Sequence, residues 1–152
     1  MVHWDAVLRH NPNALALAVD DAHLRLEHPG WNGGWIEVNA ETCTPGELLS
    51  AIRRGNFYSS CGPQVQSIAL HGDLLRMATS PIRFARLVGP GSNGRRLGSF
   101  DGSLLTEVEM RVPDDWQYVY VEVEDDNGRR AWTNNLFVDD YLSKQPSVGD
   151  GR

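Results

Sequence analysis

The sequence predicts an α+β chain in which a partial α/β segment is followed by an antiparallel β-sandwich. Three observations carry that expectation. The run Ala14-Leu15-Ala16-Leu17-Ala18-Val19 follows a short helical pattern, is apolar at every position and is too short for a helix. Thr44-Pro45-Gly46-Glu47 supplies the chemistry of a helix start just ahead of apolar Leu48, Leu49 and Ile52. Beyond Gly62-Pro63 the apolar pattern turns to period two, in short runs separated by Gly, Pro, Asn and Asp.

Taken in order, His3 to His10 reads as a helix, with Trp4, Val7 and Leu8 on one face and Asn11-Pro12-Asn13 ending it. Ala14 to Val19 then reads as a strand buried on both faces, and such strands belong to parallel sheets. In the stretch Trp31 to Ala40, Ile36 and Val38 alternate with Glu37 and Asn39, which favours an extended chain. The next helix has Thr44 as cap, Pro45 at its first position and Glu47 placed for a capping box. Arg53 and Arg54 suit its negative end, and Gly55 suits the left-handed residue that stops it.

Six strands are expected after that: Val65 to Leu70, Leu74 to Ala78, Ile82 to Val88, Leu104 to Val112, Tyr118 to Val123 and Ala131 to Val138. Val108, Met110 and Val112 alternate with Glu107, Glu109 and Arg111; Val119, Val121 and Val123 alternate with Tyr120, Glu122 and Glu124. Each strand should therefore have a core face and a wet face. Asp126-Asn127-Gly128 supplies a tight hairpin. The expected division is 1–62 for the α/β part, 63–140 for the sandwich and 141–152 for a flexible tail.

At 152 residues the chain has room for one domain or two small ones. With 41% hydrophobic and 22% charged residues it is neither disordered, collagen-like nor coiled coil by composition. The 14 Lys and Arg against 20 Asp and Glu, a net charge of -6, exclude a broad nucleic-acid footprint and disfavour anionic membranes. The longest apolar run falls far short of the ~20 residues that span a bilayer, and Asp5, Arg9 and His10 stand where a signal peptide would be apolar. Cys43 and Cys61 form no C-x-x-C pair and no disulfide framework. A cytoplasmic location is expected, with neither nucleic acid nor membrane as partner.

Chemistry is expected first where the apolar run ends, in Asp20-Asp21-Ala22-His23, because ligands of α/β proteins gather beyond the carboxyl ends of parallel strands. On an extended chain Asp21 and His23 point the same way and offer one oxygen and one nitrogen to a divalent cation; equally, a carboxylate here orients a loop histidine. Two donors do not make a site. Glu27 and His28 read as loop surface ahead of Pro29-Gly30. Gly89 to Arg96 lacks the Gly-Lys-Ser/Thr ending of a phosphate loop and reads as a flexible hairpin connection between strands. Phe57 to Cys61 carries Ser and Cys without an identifiable base and reads as a packed crossover. Trp116 and Trp132 read as sandwich core, with a sugar-stacking platform as the alternative.

Three stretches together resemble a known family: WDAVLRHNPNALALAVDDAH (Trp4 to His23), TPGELLSAIRRGNFYSSCGP (Thr44 to Pro63) and YVYVEVEDDNGRRAWTNNLFV (Tyr118 to Val138). They are similar to the C-terminal part of the polymerase and histidinol phosphatase (PHP) family of metal-dependent phosphoesterases. The similarity is to the branch in which a distorted β/α barrel precedes a small β-sandwich, and it runs over about residues 4 to 138. It implies that 1–62 is the end of such a barrel, and that Asp21 and His23 match the family's last metal motif, Asp-Ala-His. Cys61 stands where Thr is expected. The family's opening His-x-His motif and its middle-strand His and Glu ligands are absent, since His3 and His10 have the wrong spacing. A closed barrel takes ~250 residues. The resemblance therefore implies phosphoester hydrolysis by metal-activated water in a complete enzyme, and little or no activity in this chain alone. Zinc, manganese or iron would bind only where other ligands complete the site. The implied partner is a missing N-terminal PHP segment or a second copy through self-association. A non-catalytic β-sandwich module that binds protein or glycan is the expectation from a different class.

Overall fold

Alternation along two strands decides how the layers face one another. In the computed structural model, which describes residues 2–27 and 30–136, those strands are β7 (Leu105–Arg111) and β8 (Tyr120–Glu124). Val108 of β7 and Val121 and Val123 of β8 turn inward, where they are almost completely buried in one apolar cluster with Leu75, Met77, Ala85 and Leu87. The other members of the two sheets are β1 (Trp35–Val38), β2 (Phe57–Ser60), β3 (Val65–His71), β4 (Leu74–Ile82), β5 (Phe84–Val88), β6 (Gly94–Gly98) and β9 (Arg130–Thr133). One sheet has the order β1-β2-β9-β8-β5-β6 and the other β3-β4-β7. Every pairing is antiparallel. Among the described residues two helices accompany them, α1 (Val2–His10) and α2 (Pro45–Arg53).

The strongest local signals hold. Thr44 Oγ1 accepts from the Glu47 amide at the start of α2, and Gly55 takes the left-handed conformation (φ 75°) after its end. The β8–β9 hairpin turns at Asp125 to Arg129, with Gly128 at φ 77°. β4 runs on through Pro81 because the ladder with β7 shifts between Ala78 and Ile82, so that proline is accommodated at an irregularity.

Four expectations are corrected. Ala14 to Val19 is extended but joins neither sheet, and among the described residues no parallel pair exists. Main-chain groups of Ala16 and Ala18 are bonded by side chains instead. Phe57 to Ser60 is no crossover but β2, an interior strand between β1 and β9, so the six-stranded sheet runs across Gly62-Pro63. Gly89 to Arg96 is the expected hairpin connection, with a short 3-10 turn at Pro90–Ser92, but its second half is strand rather than connection: β6 begins at Gly94, and Arg95 and Arg96 lie opposite Leu87 and Arg86. The face of β8 expected to be wet is covered: Tyr120 is 1% and Glu122 7% exposed. Val138 and 141–152 lie outside the described residues.

The cover on that outer face is α1. Leu8 packs with Tyr118 and Tyr120, and half-buried Trp4, Val88 and Trp132 close around them. Buried Asp5 accepts a hydrogen bond from the Tyr118 hydroxyl and is bridged to Arg9 at 2.7 Å. Trp116 is used in the core as expected, whereas Trp132 sits on the outer face. A β-carbon at Gly89 would lie 2.3 Å from the Trp116 ring, so the ring lies directly on that glycine.

Truncating Leu75, which has no exposure, leaves a cavity between the sheets; Leu75→Ala should cost about 3 kcal/mol, measured as a lowered urea midpoint at unchanged slope. Burial first, and then the bond to Asp5, push the Tyr118 hydroxyl up to about 12; burial and Glu122 push Tyr120 up likewise. The folded state thus keeps these protons to higher pH than the unfolded state. Their contribution is complete below about pH 10 and disappears as the pH rises to about 12. Tyr118→Phe should flatten the loss of stability across that window, read from urea midpoints taken at successive alkaline pH values.

Candidate functional site

The site expected from sequence begins with the extended segment 14–19, which is laid over the outer face of the six-stranded sheet. The Ala16 amide donates to Asn134 Oδ1 at 3.1 Å, the Ala18 amide to Ser59 Oγ at 2.9 Å, and Ser59 Oγ donates to the Ala16 carbonyl at 2.9 Å. Ser59 and Asn134 are both buried. Main-chain groups of alternate residues thus face the sheet, which is the geometry of a strand whose partner is a pair of side chains. Gly55 makes room for Leu15, since a β-carbon there would come within 2.9 Å of Leu15 Cδ2.

The chain leaves this extended course at Asp21, where φ is 51°; Leu24 (51°) and Asn32 (63°) are also left-handed. For a bulky residue such as Leu24 that conformation is strained. The Asp20 carboxylate accepts from the Asn32 amide at 2.7 Å and the Ala22 amide at 3.3 Å, which ties Asn32 to the chain just after the extended segment.

Asp21 and His23 are both exposed. The expected common direction on an extended chain is overturned by the left-handed Asp21, and a different contact ties the two. His23 Nδ1 lies 2.8 Å from the Asp21 main-chain carbonyl. A carbonyl only accepts, so Nδ1 donates in this contact, and a neutral ring making it has its lone pair on Nε2. No described residue bonds the Asp21 carboxylate. Among the described residues no group of three or more His, Cys, Asp and Glu side chains converges as a metal site. Glu27 is exposed loop, as expected, and His28 lies outside the described residues.

The remaining candidates have structural explanations. Ser59 and Ser60 spend their hydroxyls on the main chain, Ser59 on Ala16 and Ala18 and Ser60 on Gly62 and Pro63. Sequence reading missed an ionic cluster on the outer face. Arg86 spans Glu122 at 2.9 Å and Glu124 at 3.0 Å, Arg130 reaches Glu124 at 3.1 Å, and the Trp132 indole donates to Glu122 at 2.7 Å. These residues lie on three strands, and only a register could have brought them together. Each carboxylate is neutralised by its own neighbours, so the cluster is a clasp rather than a reaction centre.

Compared with protein-family models, curated proteins and solved structures, the chain matches none. Among the described residues no helix is long and apolar enough to cross a membrane.

If Asp20 pins the loop, Asp20→Ala should release both amides and raise the rate of tryptic cleavage after Arg25 at least roughly tenfold, followed by mass spectrometry of the fragments.

Proposed function

We propose that this chain is the C-terminal portion of a PHP-type metal-dependent phosphoesterase, with Asp21 and His23 as one corner of a divalent-metal site whose other ligands come from another polypeptide segment. The observation that carries this reading is the 2.8 Å contact of His23 Nδ1 with the Asp21 main-chain carbonyl, which turns the lone pair of an exposed ring to Nε2; the Asp21 carboxylate, also exposed, has no partner among the described residues. Metal-binding histidines characteristically give their second ring nitrogen to a carbonyl or carboxylate in this way. The strained loop supports it too, since backbone held in a costly conformation clusters at functional sites.

The donor chemistry fits zinc, manganese or iron, while the donor count falls short of the three or four ligands such sites use. A metal completed there would supply Lewis acidity and lower the pKa of a bound water. This chain's own contribution is to hold: Asp20 fixes the loop, the Asp21 carbonyl sets the His23 ring, and Asp21 and His23 present one oxygen and one nitrogen. The isolated chain, lacking the remaining ligands, hydrolyses phosphoesters little or not at all.

A β-sandwich module that binds protein or glycan is the second reading. Phe100 favours it, being 76% exposed with the Arg96 guanidinium 4.9 Å from its ring.

Elemental mass spectrometry of the full chain equilibrated with zinc, manganese or iron separates the two. The first reading expects weak uptake that Asp21→Ala/His23→Ala lowers at least about tenfold, and phosphoesterase activity on addition of a His-x-His-bearing PHP segment. Uptake indifferent to the double substitution, or reconstituted hydrolysis that survives Asp21→Ala, overturns it.

A further inference from the structure

The segment 14–19 has two main-chain edges, and only one is used. Ala16 and Ala18 direct their groups to Asn134 and Ser59. Leu15 and Leu17 direct theirs the opposite way, and their amides have no acceptor among the described residues. The side chains alongside are apolar and partly bare, with Leu17 54% and Val19 77% exposed.

The genuine sheet edges are protected where this one is not. β6 carries Arg95 and Arg96, β7 carries Glu107, Glu109 and Arg111, β1 is four residues long and carries Glu37, and the β3 ladder is broken between Val65 and Ser67. Charges, short length and irregularities are the usual means by which edges are kept from pairing. Residues 14–19 have no charge, no proline and no bulge.

We propose that in the isolated chain this edge pairs antiparallel with the same edge of a second copy, forming a two-fold symmetric dimer. A row of outward main-chain donors and acceptors calls for an extended strand, and this segment is complementary to itself. With Ala16 opposite Ala16 of the second copy, Leu15 of each copy lies opposite Leu17 of the other and the two pairs exchange four hydrogen bonds. The groups already bonded to Asn134 and Ser59 are left undisturbed. Charge favours the antiparallel over the parallel arrangement: Asp20 and Asp21 follow the segment, so antiparallel pairing sets the two acidic ends apart, each towards the end of the other copy's segment that His10 precedes, whereas parallel pairing would bring them together. The dimer requires no metal, so it stands or falls independently of the phosphoesterase reading.

Sedimentation equilibrium of the full chain in a metal chelator, over a wide concentration range, tests it. Leu17→Pro removes an amide hydrogen that the single chain does not use, and the extended Ala16 tolerates a following proline. Two of the four intermolecular bonds disappear by symmetry. Leu17→Lys keeps the amide but places a charge at the edge, and decides the matter if the proline variant does not fold; Leu17→Val is the control. The expected result is a reversible wild-type dimer, a dissociation constant raised at least roughly tenfold by Leu17→Pro and Leu17→Lys, and little change in Leu17→Val, with near-ultraviolet circular dichroism preserved. A wild-type chain that is monomeric at every concentration overturns the proposal, as does a dimer that neither Leu17→Pro nor Leu17→Lys weakens.

Discussion

One buried amide, that of Asn134, ties the first third of the chain to the last strand. Its oxygen accepts from the Ala16 amide, while its nitrogen donates to the carbonyls of Gly55 at 3.2 Å and Phe57 at 3.1 Å. The orientation of the amide is dictated, because two carbonyls need a donor and one N–H needs an acceptor. Through these three bonds the residue after β9 fixes the extended segment, the end of α2 and the beginning of β2 together. Asp21 and His23 begin two residues beyond that segment, so their position is inherited from Asn134 and Ser59.

The two faces of β8 show the same economy in opposite materials. Inward, Val119, Val121 and Val123 need nothing but shape. Outward, Tyr118, Tyr120 and Glu122 are equally hidden and must each be given partners or cover: Asp5 for Tyr118, α1 for Tyr120, Arg86 and Trp132 for Glu122. A carboxylate withdrawn from water is costly unless its neighbours restore what hydration supplied, and removing one partner leaves the charge stranded. On the outer face, therefore, removing a polar partner of Glu122 costs more than the bond itself.

Much of the sandwich was legible because it rests on local rules. Alternation in Leu104 to Val112 foretold β7, Thr44 and Gly55 bracketed α2, and Asp126-Asn127-Gly128 marked the last hairpin. The failures share a cause. The segment 14–19 has the composition of a buried strand, but whether its edges meet another strand or two side chains depends on Ser59 and Asn134, 41 to 118 residues away. Phe57 to Ser60 was missed as an interior strand because its partners are Trp35 to Val38 and residues from Tyr58's opposite, Thr133, back to Ala131. At the candidate site the residue types Asp21 and His23 were visible, whereas the left-handed turn at Asp21 and the Asp20 clamp were not, since neither alters any periodicity.

The position of β2 between β1 and β9 also sets an order of events. Tyr58 lies opposite Thr133, so β2 finds one of its two neighbours only after β3 to β8 have been made. Until then β2 has a bare edge, the Asn134 amide does not yet exist, and the segment bearing Asp21 and His23 has nothing to rest on. Loop closure over such a separation is slow compared with hairpin formation. On the ribosome, the β3–β4 hairpin can form while residues 14–23 wait, and the candidate site is assembled only after β9 although its residues are synthesised before any strand of either sheet.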